Sequence, residues 1–205
     1  MSSSKEAILS AIRRNSSAAA ELPDLDREWT IYADRREQFI AVLEAVGGQA
    51  LVARGRDDLI HQLQRLPVYS QRQKIASLVP GIESANIDLA AIDSPHALAD
   101  VDLAILPAEF AVAENAAVWV TDRRVPLRVL YFLCQHLVLV VPAHEIVNHM
   151  HAAYDRIAEI ERHASPSVPG FGAFVSGPSK TADIEQSLVI GAHGPRSLTV
   201  FLLEE

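Results

Sequence analysis

The chain has 205 residues, 49% hydrophobic and 21% charged, with a formal net charge of −8. That length suits one domain able to bury roughly 70% of its unfolded surface, and that charge argues against a nucleic-acid or anionic-membrane surface. The single cysteine, Cys134, rules out an internal disulfide and an iron–sulfur cluster of its own, which takes about four ligands.

Residues Ser4 to Asn15 read as a helix with Ser4 as N-cap and Ile8, Leu9 and Ile12 on one face. The polar stretch Ser16 to Asp26 reads as a linker. Residues 1–26 are therefore expected to be a helical arm, and residues 27–205 a single α/β domain. An arm of this kind docks on its own domain or on another chain, which keeps homo-oligomerisation open. Met1 to Glu6 has no long apolar core of a signal peptide, and no run reaches the ~18 apolar residues of a membrane helix. The expected compartment is the cytoplasm, with no membrane insertion and no nucleic-acid partner.

A second helix runs through Phe39, Ile40, Leu43 and Val46 and stops at Gly47-Gly48. Ala50 to Ala53 reads as a strand, and Asp57-Asp58-Leu59 opens a helix with carboxylates at its positive end. Val68-Tyr69 and Leu78-Val79 are ambiguous, Pro80-Gly81 is a turn, and Ser94-Pro95 places Pro at a first helical position. Val101 to Leu106, Ala116 to Thr121 and Leu137 to Val141 read as buried strands of a largely parallel sheet. Cys134, in an apolar run, reads as a buried and inert thiol. Glu145 to His163 reads as the strongest helix, with the stripe Ile146, Met150, Ala153, Tyr154 and Ile157. Ala173 to Val175 leads into a corner, Leu188 to Ile190 is a short apolar run, and Leu198 to Leu203 is a closing strand. The alternation predicts an α/β fold.

His144-Glu145-Ile146-Val147-Asn148-His149 nearly spells the zinc-protease motif, but Asn148 stands where the second His is required. No metal site is expected. The plain reading is a solvated helix face with Glu145 and His149 paired one turn apart.

The polar density of the chain peaks near its C-terminal end. Gly177, Ser179, Lys180, Thr181, Asp183 and Glu185 lie in one turn-like stretch, and His193 and Gly194 in a second. Glycines let main-chain N–H groups face a ligand, and Lys180 adds a charge that attracts anions. His193 has the chemistry of an acid, a base or an anion donor. Two readings stand: an anion-accepting pocket, or a tight corner in which Asp183 and Glu185 neutralise Lys180. The stretch is not a Walker A loop, because Ser179 and Phe174 occupy its glycine positions. Ser179, His193 and Asp183 have the residue types of a catalytic triad without its elbow or oxyanion context. Glu114 and Asn115 are placed on the pocket wall, since a carboxylate entering a sheet is costly unless paired; the alternative is a turn carboxylate facing water.

The run from Ser176 to Leu203 resembles the signature of the lactate-utilisation protein C family, the LUD-domain proteins: a GPS-R/K-TADIE run, a G-x-HGP turn and a last apolar strand. Upstream, Ala99 to Val120 resembles the family's stretch that contains its E-T-G-T segment, with Glu114-Asn115-Ala116-Ala117 in the place of E-T-G-T. The resemblance covers roughly the second half of the chain. It implies a layered α/β/α fold like that of ribose-5-phosphate isomerases and coenzyme A transferases. It also implies a component of a three-part, iron–sulfur-dependent system oxidising L-lactate to pyruvate. This chain carries no cofactor motif, so iron–sulfur clusters are expected on partner subunits, and this chain is expected to be an accessory subunit binding a small anionic metabolite. The alternatives are an enzyme in its own right, acting on a phosphorylated or CoA-linked metabolite, and a binding module without catalysis.

Overall fold

The computed structural model describes residues 3–16, 20–21, 24, 28–70, 74–162, 170–182 and 187–204. In chain order the elements are α1 (Ser4–Arg14), α2 (Arg35–Ala45), β1 (Gln49–Arg54), α3 (Arg56–Gln64), α4 (Pro67–Ser70), β2 (Ile75–Ser77), β3 (Leu103–Pro107), β4 (Phe110–Val112) and β5 (Val118–Thr121). Then follow α5 (Leu130–Leu133), β6 (His136–Pro142), β7 (Ile146–Val147), α6 (Met150–Arg162), β8 (Gly172–Val175), β9 (Lys180–Ala182), β10 (Leu188–Ile190) and β11 (Ser197–Glu204). Two short 3₁₀ turns, Leu89–Ala91 and Pro95–Leu98, precede β3.

The expected α/β fold with a largely parallel sheet is present. Its centre is a five-stranded sheet in the order β1-β11-β6-β3-β2, with every neighbouring pair parallel. These strands are apolar on both faces, as a parallel sheet covered on both sides requires. The alternation is strict. Leu137, Leu139 and Val141 of β6 enter one core with Ala104, Leu106, Val200 and Leu202. Val138 and Val140 enter the opposite core with Leu103, Ile105 and Phe201.

Helix α3 covers the second of these faces through Leu59 and Leu63. The other face is covered by Phe39 and Leu43 of α2 and by a second, mixed sheet in the order β7-β4-β5-β8. Helix α6 packs behind that sheet through Ala153 and Ile157, against Phe110 and Val112. The second sheet is thus an intermediate layer that the sequence did not announce.

Three elements depart from the sequence reading. The predicted helix from Glu145 is shorter: Ile146 and Val147 pair with Ala111 and Val112 as β7, and α6 begins at Met150. Glu145 therefore has no i,i+4 partner in His149; its carboxylate binds Arg156 instead, at 2.7 and 3.2 Å. Tyr154, placed on the apolar stripe, is exposed. The N-cap of α1 is Ser3, which forms a capping box with Glu6. Ile8, Leu9 and Ile12 are 58%, 41% and 58% exposed, and α1 buries no residue. The predicted linker after it lies largely outside the described residues. From Trp29 onward the chain is attached: Trp29 stacks on His151 at 3.6 Å, and the Tyr32 N–H donates to Asn148 Oδ1 at 3.0 Å.

Candidate functional site

The corner after β8 is built on four glycines, Gly47, Gly177, Gly191 and Gly194, and one helix end. Gly177 has φ +72° and is buried with Pro178. A Cβ there would stand 2.9 Å from the Val46 carbonyl oxygen, so the position excludes any side chain. Val46 is the C-cap of α2, where carbonyls lack helical partners. Lys180 Nζ donates to that same oxygen at 2.5 Å, setting a cation at the negative end of the helix. The Gly47 turn, φ +84°, abuts Pro178.

The second turn closes on the first. The Ser179 N–H donates to the Pro195 carbonyl at 2.9 Å, and the Gly191 N–H donates to the Ser179 carbonyl at 2.8 Å. At Gly194 a Cβ would meet Ser179 Cβ at 3.0 Å and Oγ at 3.1 Å. His193 is exposed, and it shares no hydrogen bond with Ser179 or any other described residue. Thr181 sits in β9 opposite Val189 of β10. Lys180–Ala182 and Leu188–Ile190 are therefore an antiparallel pair. Asp183 and Glu185 lie outside the described residues.

Asn115 reaches the corner through its main chain: Ser176 Oγ donates to the Asn115 carbonyl at 2.8 Å. Its side chain accepts from the Ala117 N–H at 3.1 Å, which shapes the β4–β5 turn. Ala116 in that turn has φ +53° and is fully buried. Glu114 is exposed, and its carboxylate accepts from the Met150 N–H at 2.9 Å, capping the start of α6. It is a turn carboxylate with a partner.

The structure thus brings Gly177, Ser179, Lys180, Gly194 and the Asn115 main chain into one corner, and leaves His193 exposed on its second turn. Ser176 and Val46 were missed by the sequence reading. Val46 acts only through its carbonyl, which no side-chain pattern signals; Ser176 stands inside the family-like stretch and could have been picked by its hydroxyl.

The corner has a definite place in the fold. The Arg196 N–H donates to the Gln135 carbonyl at 2.8 Å, and both residues lie immediately before β11 and β6. Val46 lies before β1. The corner is at the amino ends of the central strands, whereas ligands of open α/β sheets collect at the carboxyl ends. Two clefts, of about 630 and 380 Å³, involve residues that follow the carboxyl ends, and neither is lined by a predicted site residue.

Among the described residues no three His, Cys, Asp or Glu side chains converge as metal ligands. Burial pushes the Cys134 thiol up to about 12, with hydrogen bonds from main-chain N–H groups opposing it, so it carries no thiolate at neutral pH. No helix of the described residues is long and apolar enough to cross a membrane.

The sequence model of the LUD domain matches residues 90–203, more than half of the chain. Relatives named "Lactate utilization protein C" include one from Geobacillus thermodenitrificans, 39% identical over 88 residues, covering 42% of this chain and 36% of that protein. One from Geobacillus kaustophilus is 34% identical over 117 residues, covering 57% of this chain and 45% of that protein. One from Exiguobacterium is 31% identical over 104 residues, covering 51% and 45%. The chain thus spans less than half the length of these relatives. A crystal structure of a DUF162 family protein from Deinococcus radiodurans matches with a TM-score of 0.58 over 84% of this chain and 99% of that one. At 17% identity this likeness is one of fold.

Proposed function

This chain belongs to the LUD domain family, and on that premise we propose that it is a non-redox component of an L-lactate utilisation system, with a small-anion site at the Gly177–Gly194 corner. One observation carries the reading. The two stretches that most resemble the family are far apart in sequence, yet they meet where Ser176 Oγ binds the Asn115 carbonyl. That contact brings Ser176 and the Asn115 main chain to the corner held on Val46 by Gly177 and Lys180. The relatives' names assign those proteins to lactate utilisation, and we carry that assignment to this chain.

The accessory role rests on chemistry. The chain has one cysteine, and an iron–sulfur cluster takes about four. The electrons from lactate would then pass to iron–sulfur partner subunits, with this chain binding substrate, product or partner. Lys180 gives one N–H to Val46 and retains two further donors, and exposed His193 adds an imidazole on the adjoining turn.

The test is made in the host that encodes the chain. Deletion should abolish growth on L-lactate while sparing growth on a sugar, and the tagged chain should co-purify with cysteine-rich iron–sulfur proteins. Unimpaired growth on lactate, or lactate-dependent dye reduction by the purified chain alone, would overturn the assignment. For the site itself, L-lactate or pyruvate at about 100 times its dissociation constant should add roughly 2.7 kcal/mol. For this size that raises Tm by about 5–10 °C. The shift should vanish in Lys180→Ala and His193→Ala; a shift that survives both removes the site from the corner.

A further inference from the structure

We propose that the cleft of about 630 Å³ between the β5–α5 connection and the end of α6 binds a phosphorylated metabolite. Four guanidinium groups line it, those of Arg123, Arg124, Arg156 and Arg162, together with Glu109 and Glu159. Such a concentration of positive charge stands out in a chain of net charge −8.

The hydrogen bonds separate the four. Arg156 is neutralised: its Nε and Nη2 bind Glu145 and its Nη1 binds Glu159. The other three bind main-chain oxygens only. Arg123 Nη1 donates to the Ile160 carbonyl at 3.2 Å, Arg124 Nη1 to the Ala108 carbonyl at 3.1 Å, and Arg162 Nε to the Ala158 carbonyl at 3.3 Å. None of these three forms an ion pair with a described carboxylate. The sequence that follows Arg162, residues 163–169, contains no Asp or Glu.

Capping the last turn of α6 accounts for one N–H each of Arg123 and Arg162. A guanidinium has five donors, so helix capping leaves most of them to other acceptors. Bonds to carbonyls hold each fork without an ion pair to a described carboxylate, leaving further donors for an oxyanion. A monocarboxylate such as lactate is matched by one arginine. Three arginines suit a compact group with two charges and more than two acceptor oxygens, which describes a phosphate ester. The volume lies in the range of small-molecule sites and exceeds what a bare phosphate fills. Glu109, whose Oε1 accepts from Thr121 Oγ1 at 2.8 Å, supplies an acceptor for a ligand hydroxyl.

The placement agrees. Ala108, bound by Arg124, directly follows β3, and Glu145, bound by Arg156, follows β6 by three residues. The cleft is therefore beside carboxyl ends of central strands, where ligands of α/β sheets collect, and away from the Gly177 corner.

The test is calorimetric titration of the full chain with inorganic pyrophosphate, citrate and L-lactate, ionic strength being matched with NaCl. Saturable pyrophosphate binding is expected, with citrate and lactate at least tenfold weaker. Arg123→Gln combined with Arg162→Gln, both at exposed positions, should weaken pyrophosphate at least tenfold while the far-ultraviolet spectrum is unchanged. Arg162→Glu, a single surface reversal at the end of α6, should do the same if the double variant folds poorly. Pyrophosphate binding that is absent, no tighter than citrate, or untouched in the folded variants would overturn the proposal. So would loss of binding in Lys180→Ala with retention in the arginine variants, which would move the phosphate to the corner.

Discussion

Gly177 is pressed against Val46 so closely that a Cβ would lie 2.9 Å from the Val46 carbonyl oxygen and 3.1 Å from its Cγ2. The same oxygen receives Lys180 Nζ. One carbonyl at the end of α2 therefore fixes both the path and the charge of the corner. Gly177→Ala must adopt φ near +72° and relieve that overlap. It should cost at least about 2 kcal/mol, or roughly 4–8 °C in Tm for a chain of this size. Lys180→Ala removes an exposed cap and should cost about 1 kcal/mol or less. Thermal denaturation of the two variants checks the order; equal losses would mean the glycine is not sterically required.

Ala116 occupies a left-handed position, φ +53°, with its methyl fully buried. The family-like pattern has glycine there. Ala116→Gly relieves left-handed strain of about 1–2 kcal/mol, but adds chain entropy and loses buried methyl surface. These effects oppose one another, so stability should change by less than about 1 kcal/mol. Ala116→Val adds β-branching at the same φ and should cost more than about 2 kcal/mol. A mild valine variant in denaturant titration would show that the turn can relax.

Asp34 and Asp58 have carboxyls held below the ordinary carboxylate range. For Asp34 the main cause is the N–H of Glu37 at the start of α2, opposed by partial desolvation and aided by the N–H of Arg36. For Asp58 it is the N–H of Arg54, again opposed by desolvation and aided by Gln62. A group with a depressed folded pKa contributes stability above its unfolded value, near 3.8, and loses it as pH falls through the folded value. Tm should therefore hold from neutral pH to about 4 and fall below it. Asp34→Asn keeps the N-cap while removing its titration; with Asp58→Asn it should flatten the acid fall. Identical acid slopes in wild type and the double variant would remove these two residues from the account.

How much of this was legible depended on where the determining partner lay. β3, β6 and β11 were readable because each is a run of branched apolar residues covered on both faces. α2 was readable from Gly47-Gly48. The residues of the corner were found because glycine, proline and hydroxyl groups are dense there. Their arrangement was not, since Lys180 meets a main-chain oxygen from a helix far earlier in the chain. Ile146-Val147 fits a helical stripe by spacing, but pairing with Ala111-Val112 prevails over propensity. β2 and β4 have three residues each, too few to show a period. The arginine cleft gave no signal because its four arginines come from two separate segments and Glu109 from a third.

Helix α1 buries none of its residues, and the attached body begins near Trp29. Protease should cut between Asn15 and Glu28, leaving a body whose Tm matches the intact chain. A drop beyond about 4 °C, roughly 1 kcal/mol or more, would mean that the arm contributes to the fold.

Among the described residues β1 pairs with one neighbour in the central sheet, β11, with Gln49 opposite Thr199. During synthesis β1 thus leaves the ribosome long before its partner exists. At about 5–20 residues per second the wait is on the order of ten to thirty seconds. Throughout it the nascent chain carries an unpaired apolar strand, and the sheet can close only after Ser197–Glu204 has been made. Such late closure predicts slow, chaperone-dependent maturation and aggregation of chains cut short before β11.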